Sequence, residues 1–166
     1  MGNQNFEQYF AARAQRLRRL AYAMCGDWYE AEDIVQSTFI KLYQHWRRVR
    51  EETADAYARR ILINVFLSGK RKYRREDVTA DPPDRAAPPG RGSEDRLDLA
   101  AALAGLSPRQ RAMVVLRFME DLPVAEVAKL VGVAEGTVKS QTARGVQALR
   151  TALHAPEPRS EHSGSS

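Results

Sequence analysis

The chain has 166 residues, 43% of them hydrophobic and 28% charged, which suits one ordinary domain or two small ones and excludes a wholly disordered or fibrous protein. No apolar run approaches the roughly 20 residues that cross a bilayer, and the start MGNQNF lacks the basic and apolar stretches of a secretion signal, so neither membrane insertion nor export is expected. Cys25 is alone, and His45, His154 and His162 have no ligand spacing, so the sequence offers no intramolecular disulfide, no metal site and no cofactor site, and the reducing cytoplasm is the expected compartment.

The net charge of +5 is unevenly spread. Residues 1–75 hold 15 Lys and Arg against 8 Asp and Glu, and from Ala56 to Arg75 there are seven basic residues and no acid. A field of one sign attracts polyanions, and phosphate neutralisation drives most nonspecific nucleic-acid affinity. A solvated helix end would carry the same charges, so the run alone does not decide.

Phe6, Phe10, Leu17, Leu20 and Met24 recur at helical intervals and predict a first helix that stops at Gly26-Asp27. A second helix carries Ile34, Val35, Thr38, Phe39, Leu42, Tyr43, Trp46 and Val49 on one stripe, with Glu30, Glu32, Asp33, Gln36, Lys41 and Gln44 off it. Tyr57, Ile61, Leu62, Val65 and Phe66 repeat the pattern in a third. Residues 76–94 contain four prolines and two glycines with almost no large apolar side chain, the composition of a flexible linker. Beyond it, Leu97, Ala100, Leu103 and Leu106 are in helical register. Ser107-Pro108-Arg109-Gln110 then reads as a helix start, with Ser as N-cap, Pro at the first helical position and Gln closing a capping box. Met113, Val114, Arg117 and Phe118 carry that helix on. Pro123 opens another with Val124, Val127, Ala128 and Val131 inward, and a last one holds Val138, Thr142, Val146 and Leu149 inside. The expected fold is all-α: two small helical domains over 1–75 and 95–153, a linker over 76–94 and a frayed tail over 154–166.

Two helices that meet sharply need a small residue where their axes nearly touch, a glycine free to turn left-handed, and an apolar residue on the second helix to lock the pair. Ala128, Gly132 and Val138 supply these in order, with Val133 as a plug, which is the spacing of a helix-turn-helix. Its second helix would present Thr137, Lys139, Ser140, Gln141 and Arg144 to a DNA groove. An ordinary helical hairpin with a polar face is the plainer alternative. No convergent nucleophile, base or metal set is present, so the chain is not read as an enzyme.

The segment LSPRQRAMVVLRFMEDLPVAEVAKLVGVAEGTVKSQTARGVQALR resembles region 4 of extracytoplasmic-function (ECF) sigma factors of the sigma-70 family, bacterial transcription initiation subunits. It also resembles the DNA-binding domain of LuxR-type regulators. The leading half separates the two: AEDIVQSTFIKLYQHWRRV, from Ala31 to Val49, resembles sigma region 2.2 and its continuation, and DAYARRILINVFLSGKRKYRR, from Asp55 to Arg75, resembles the part that reads the minus-ten promoter element. The resemblance implies that Asp33 and Gln36, beside Ile34, Val35 and Phe39, meet the clamp helices of the RNA polymerase β′ subunit, with the β flap as a further contact. It implies that Arg60, Asn64, Ser68, Lys70, Arg71, Lys72, Arg74 and Arg75 face the melted minus-ten strand, and that the loop of about Arg47 to Asp55 forms a pocket for a flipped base. Trp46 could stack on a base, though its stripe position favours the core. Thr137 and Arg144 would hold phosphates of the minus-thirty-five element and Lys139, Ser140 and Gln141 would lie near its bases. Four positions depart from the family pattern: Ser37 for Glu, Ser68 for Asp, Gln141 for Arg, and Pro123 for a Ser cap, which would leave Asp121 or Leu122 to cap. Many relatives also have an anti-sigma partner. The runner-up is a stand-alone LuxR-like regulator that binds operator DNA without polymerase.

Overall fold

A computed structural model describes the backbone of residues 3–76 and 94–154 and the side chains of 5–69 and 98–154. Among these residues the chain forms seven α-helices and no strand. Helix α1 (Asn3–Cys25) ends where Gly26 adopts a left-handed φ of 74°. Asp27 then caps α2 (Trp28–Gln44), its carboxylate accepting from the backbone N–H of Tyr29 at 2.8 Å and of Glu30 at 3.4 Å. The predicted stop is therefore present at the expected residues.

Helix α2 is shorter than its apolar stripe. It ends at Gln44, and Trp46 and Val49 reach the core from a 3-10 turn, Trp46–Arg48, and the residue after it. A second turn, Glu51–Thr53, leads into α3 (Ala54–Glu76). Leu20, Ala21 and Met24 of α1, Ala31, Val35 and Leu42 of α2, and Ala58, Leu62 and Phe66 of α3 fill this bundle. Trp46 is 4% exposed and meets Phe6 edge-on at 5.3 Å, so it packs in the core, as its stripe position favours. Tyr43 departs from the stripe and is half exposed.

Helix α4 (Glu94–Ala104) precedes α5 (Pro108–Phe118), whose start follows the expected cap: Gln110 N–H donates to Ser107 Oγ at 3.3 Å, with Pro108 in the first turn. The reciprocal arm of the capping box is not made. The Gln110 side chain turns instead to the last helix, because an acceptor there draws it away from Ser107. Helix α6 (Val124–Val131) begins with Pro123 at the cap position and no side-chain cap, which corrects the expectation for Asp121 or Leu122. Asp121 has a positive φ of 54° and serves the turn, while Leu122 gives its carbonyl to Arg117 at 3.1 Å. Helix α7 (Glu135–His154) buries Val138, Thr142 and Gly145, with Val146 and Leu149 half-buried.

The two halves meet along a seam of α1 and α3 against α4, α5 and α6. Arg111, 8% exposed, lies in it: its guanidinium donates to the carbonyls of Leu103 at 2.8 Å, Leu106 at 3.0 Å and Ala104 at 3.3 Å, and across the seam to Met24 O. Burial pulls its pKa below the ordinary arginine value. Glu120 crosses in the other direction, pairing with Arg16 of α1 at 3.2 Å and Arg59 of α3 at 3.5 Å. The linker 76–94 and the tail 154–166 lie, apart from their end residues, outside the described residues.

Candidate nucleic-acid interface

The helix-turn-helix is built by α6 and α7. Gly132 takes a left-handed φ of 77°, which ends α6 and lets its N–H bond to Ala128 O at 2.9 Å, and Val133 N–H bonds to the same carbonyl at 3.1 Å. Ala128 and Val138 are buried at the junction and Val133 is half-buried. Thr137, Lys139, Ser140 and Arg144 are exposed along α7. Gln141 differs: it is half-buried and held by Gln110.

Helices α5 and α7 pack closely at Gly145, where an added Cβ would lie 2.6 Å from Val114 Cγ2 and 3.5 Å from Gln110 Cγ. This close crossing sets the position of α7 on α5. The sequence reading missed Gly145; a glycine inside an otherwise helical pattern was the available signal.

On α3, Arg60, Asn64 and Ser68 are exposed and follow one another at steps of four, so they form a single row on one face. Lys70, Arg71, Lys72, Arg74 and Arg75 continue the backbone of the same helix, and their side chains lie outside those described. Before α3, the two 3-10 turns leave a concavity of about 220 Å³ lined by His45, Arg48, Val49, Thr53 and Tyr57. Asp55, at the end of this loop, is engaged. Its Oδ1 accepts from Tyr9 Oη and Arg13 Nε, both at 2.8 Å. The Arg13 hydrogen bond holds the Asp55 carboxyl below the ordinary carboxylate range against the opposing effect of burial, while burial and the Asp55 contact push the Tyr9 hydroxyl up.

On α2, Asp33 and Gln36 are exposed as expected. Ile34, Val35 and Phe39 are not available beside them: at 6%, 2% and 5% exposure they form the core of their own bundle, because the stripe that looked like a docking ridge is the face turned toward α1 and α3. The outward row is Tyr29, Asp33, Gln36, Ile40 and Tyr43, at steps of four and three, with Ile40 60% exposed. An apolar side chain off the main stripe was the sequence signal for it.

Among the described residues no three His, Cys, Asp or Glu side chains converge in a metal-binding group, and no helix is long and apolar enough to cross a membrane.

Comparison with known proteins matches residues 9–76 to the family described as Sigma-70 region 2 and residues 96–149 to that described as Sigma-70, region 4. The chain is 35% identical over 158 residues to the "ECF RNA polymerase sigma factor SigE" of Mycolicibacterium smegmatis, covering 90% of this chain and 62% of that protein. It is 34% identical over 151 residues to the "RNA polymerase sigma-E factor" of Streptomyces avermitilis, covering 89% of this chain and 84% of that one. Among solved structures, the sigma factor RpoE of Bartonella quintana, in complex with the anti-sigma factor NepR, aligns with a TM-score of 0.77 at 27% identity, over 92% of this chain and 98% of that one.

Proposed function

The chain belongs to the ECF group of the sigma-70 family, and we propose from that membership that it is an alternative sigma factor that joins core RNA polymerase in the cytoplasm and directs it to a restricted promoter set. The observation that carries this reading is the presence of both matched regions, in order, on one chain whose α2, α3 and α7 each turn a separate polar row to solvent. A stand-alone LuxR-like regulator would need only the second region, and the match over residues 9–76 leaves that alternative without support.

The roles divide by helix. The row of α2 with Asp33 and Gln36 meets the β′ clamp helices, and exposed Tyr29, Ile40 and Tyr43 add the apolar part that an interface core needs. Burial of Ile34, Val35 and Phe39 gives those three the indirect role of fixing the row. The Arg60, Asn64 and Ser68 row, extended by Lys70, Arg71, Lys72, Arg74 and Arg75, follows the backbone of the melted minus-ten strand, and the concavity beside Tyr57 receives an unstacked base. Helix α7 enters the major groove of the minus-thirty-five element with Lys139 and Ser140 toward bases and Thr137 and Arg144 on phosphates. The second half also meets the β flap, and an anti-sigma protein is a further partner, as in the RpoE complex. Sigma factors are DNA-binding initiation factors, and the chemistry of RNA synthesis belongs to the polymerase.

The decisive experiment is run-off transcription with added core polymerase and mapped start sites. Initiation at a limited set of promoters sharing two elements is expected. Tight duplex binding without polymerase association would overturn the reading.

A further inference from the structure

Gln110 forgoes the local capping arm that its spacing from Ser107 offers and reaches across to α7. Its Nε2 lies 3.3 Å from the backbone O of Gln141 and 3.2 Å from Gln141 Oε1. These two contacts fix the orientation of both amides. A backbone carbonyl can only accept, so the group that Gln110 turns to α7 is its NH2; that NH2 in turn needs an acceptor, so Gln141 keeps Oε1 inward and its own NH2 faces away from Gln110. The Gln110 stem lies at the crossing of α5 and α7, beside the side-chain-free Gly145, where a Cβ would stand 3.5 Å from its Cγ.

A free glutamine reads adenine with both ends of its amide, accepting from N6–H2 and donating to N7. Gln141 Oε1 is turned toward Gln110, which takes one of its two lone pairs, so the end of the amide left for a base is the NH2. What it retains are two N–H donors, which match the O6 and N7 acceptors of guanine or the O4 of thymine and leave the N6–H2 of adenine unpaired.

We propose that Gln110 is a positioning residue for base recognition: by holding Gln141 Oε1, it makes Gln141 a donor-only reader that selects guanine or thymine over adenine at one base pair of the upstream element. This rests on α7 being the recognition helix of a sigma factor. It assigns specificity to a residue outside the helix-turn-helix and gives a chemical consequence to the Gln that stands at 141 where the family often has Arg.

The test uses holoenzyme assembled from the full chain and core polymerase, with a mapped promoter whose upstream element is replaced by every single base pair in turn. Initiation is compared across the four pairs at each position. For the native chain, one position should rank adenine about fivefold or more below the better of guanine and thymine on the same strand, the discrimination of a good side-chain contact. Gln141→Ala should flatten that position alone. Gln110→Met keeps an unbranched stem of similar volume against Gly145 and removes the donor, so adenine should rise there to within about twofold of the preferred base while other positions keep their ranking. If Gln141→Ala flattens no position, or Gln110→Met lowers initiation on all promoter variants equally, Gln110 is only a structural brace and the proposal is overturned. If the native holoenzyme initiates at no promoter, the sigma reading itself fails, and this inference with it.

Discussion

At Gly145 the absence of a side chain sets how closely α7 can approach α5. Its missing Cβ would sit 2.6 Å from Val114 Cγ2, closer than real Cβ contacts allow, and the β-branched Val114 cannot rotate far from it. Gly145→Ala should therefore lower stability by about 1–3 kcal/mol, the cost of overpacking, despite the better helix propensity of alanine, as read by denaturant titration. Gly132 was legible in the sequence because its turn has a known spacing to Ala128 and Val138. Gly145 stood out only as a glycine inside a helical pattern, and its role is explained only by the interhelical crossing. A second residue effect depends on pH. Asp55 has a folded pKa depressed by Arg13, so its contribution is present above the unfolded value near 3.9 and is lost as pH falls through the lower folded value. Asp55→Asn should cost about 1 kcal/mol at neutral pH for this partly exposed pair, and the difference from the native chain should shrink once pH drops below about 4.

Helix starts show how far local chemistry carries. Asp27 and Ser107 cap α2 and α5 as their residue types dictate, whereas Pro123 occupies the cap of α6 without a side chain to give. Pro123→Ser should raise stability by about 0.5–1 kcal/mol, visible as a higher melting temperature, by supplying an acceptor to the first turn. The stripe on α2 was read correctly as apolar and wrongly as outward. Periodicity gives a helix two faces, and which one a partner covers depends on the neighbours α1 and α3, which no local pattern records. The outward row makes its own prediction. Asp33→Ala and Gln36→Ala should each weaken core polymerase association several-fold and leave binding to isolated upstream duplex unchanged, whereas Lys139→Ala should do the reverse.

At the scale of the molecule, the seam between the halves is closed by groups far apart in sequence, Arg16, Arg59, Arg111 and Glu120, so nothing in composition or spacing could have announced it. Its consequence follows from dimensions. Promoter elements centred near minus ten and minus thirty-five are about 25 base pairs apart, roughly 85 Å along the duplex at about 3.4 Å per pair. A compact chain of this size has a radius of gyration of about 15 Å and is roughly 40 Å across. On the proposed division of roles, the closed arrangement cannot touch both elements, and engagement of a promoter would require α1 and α3 to part from α4, α5 and α6. The 17 residues between Glu76 and Glu94 have a contour of at most about 60 Å, enough to keep the parted halves within reach of both sites. Glu120, with its side chain 8% exposed between two arginines, opposes this parting, as does the Arg111 hydrogen bond to Met24 O. Glu120→Gln keeps the shape and removes the charge, leaving Arg59 half-buried beside a neutral partner. It should shift the free chain toward the parted form by about 1–3 kcal/mol, read as a larger radius of gyration in small-angle scattering. An unchanged radius would show that the other seam contacts, the Arg111 hydrogen bond to Met24 O among them, and not the Glu120 carboxylate, keep the halves together.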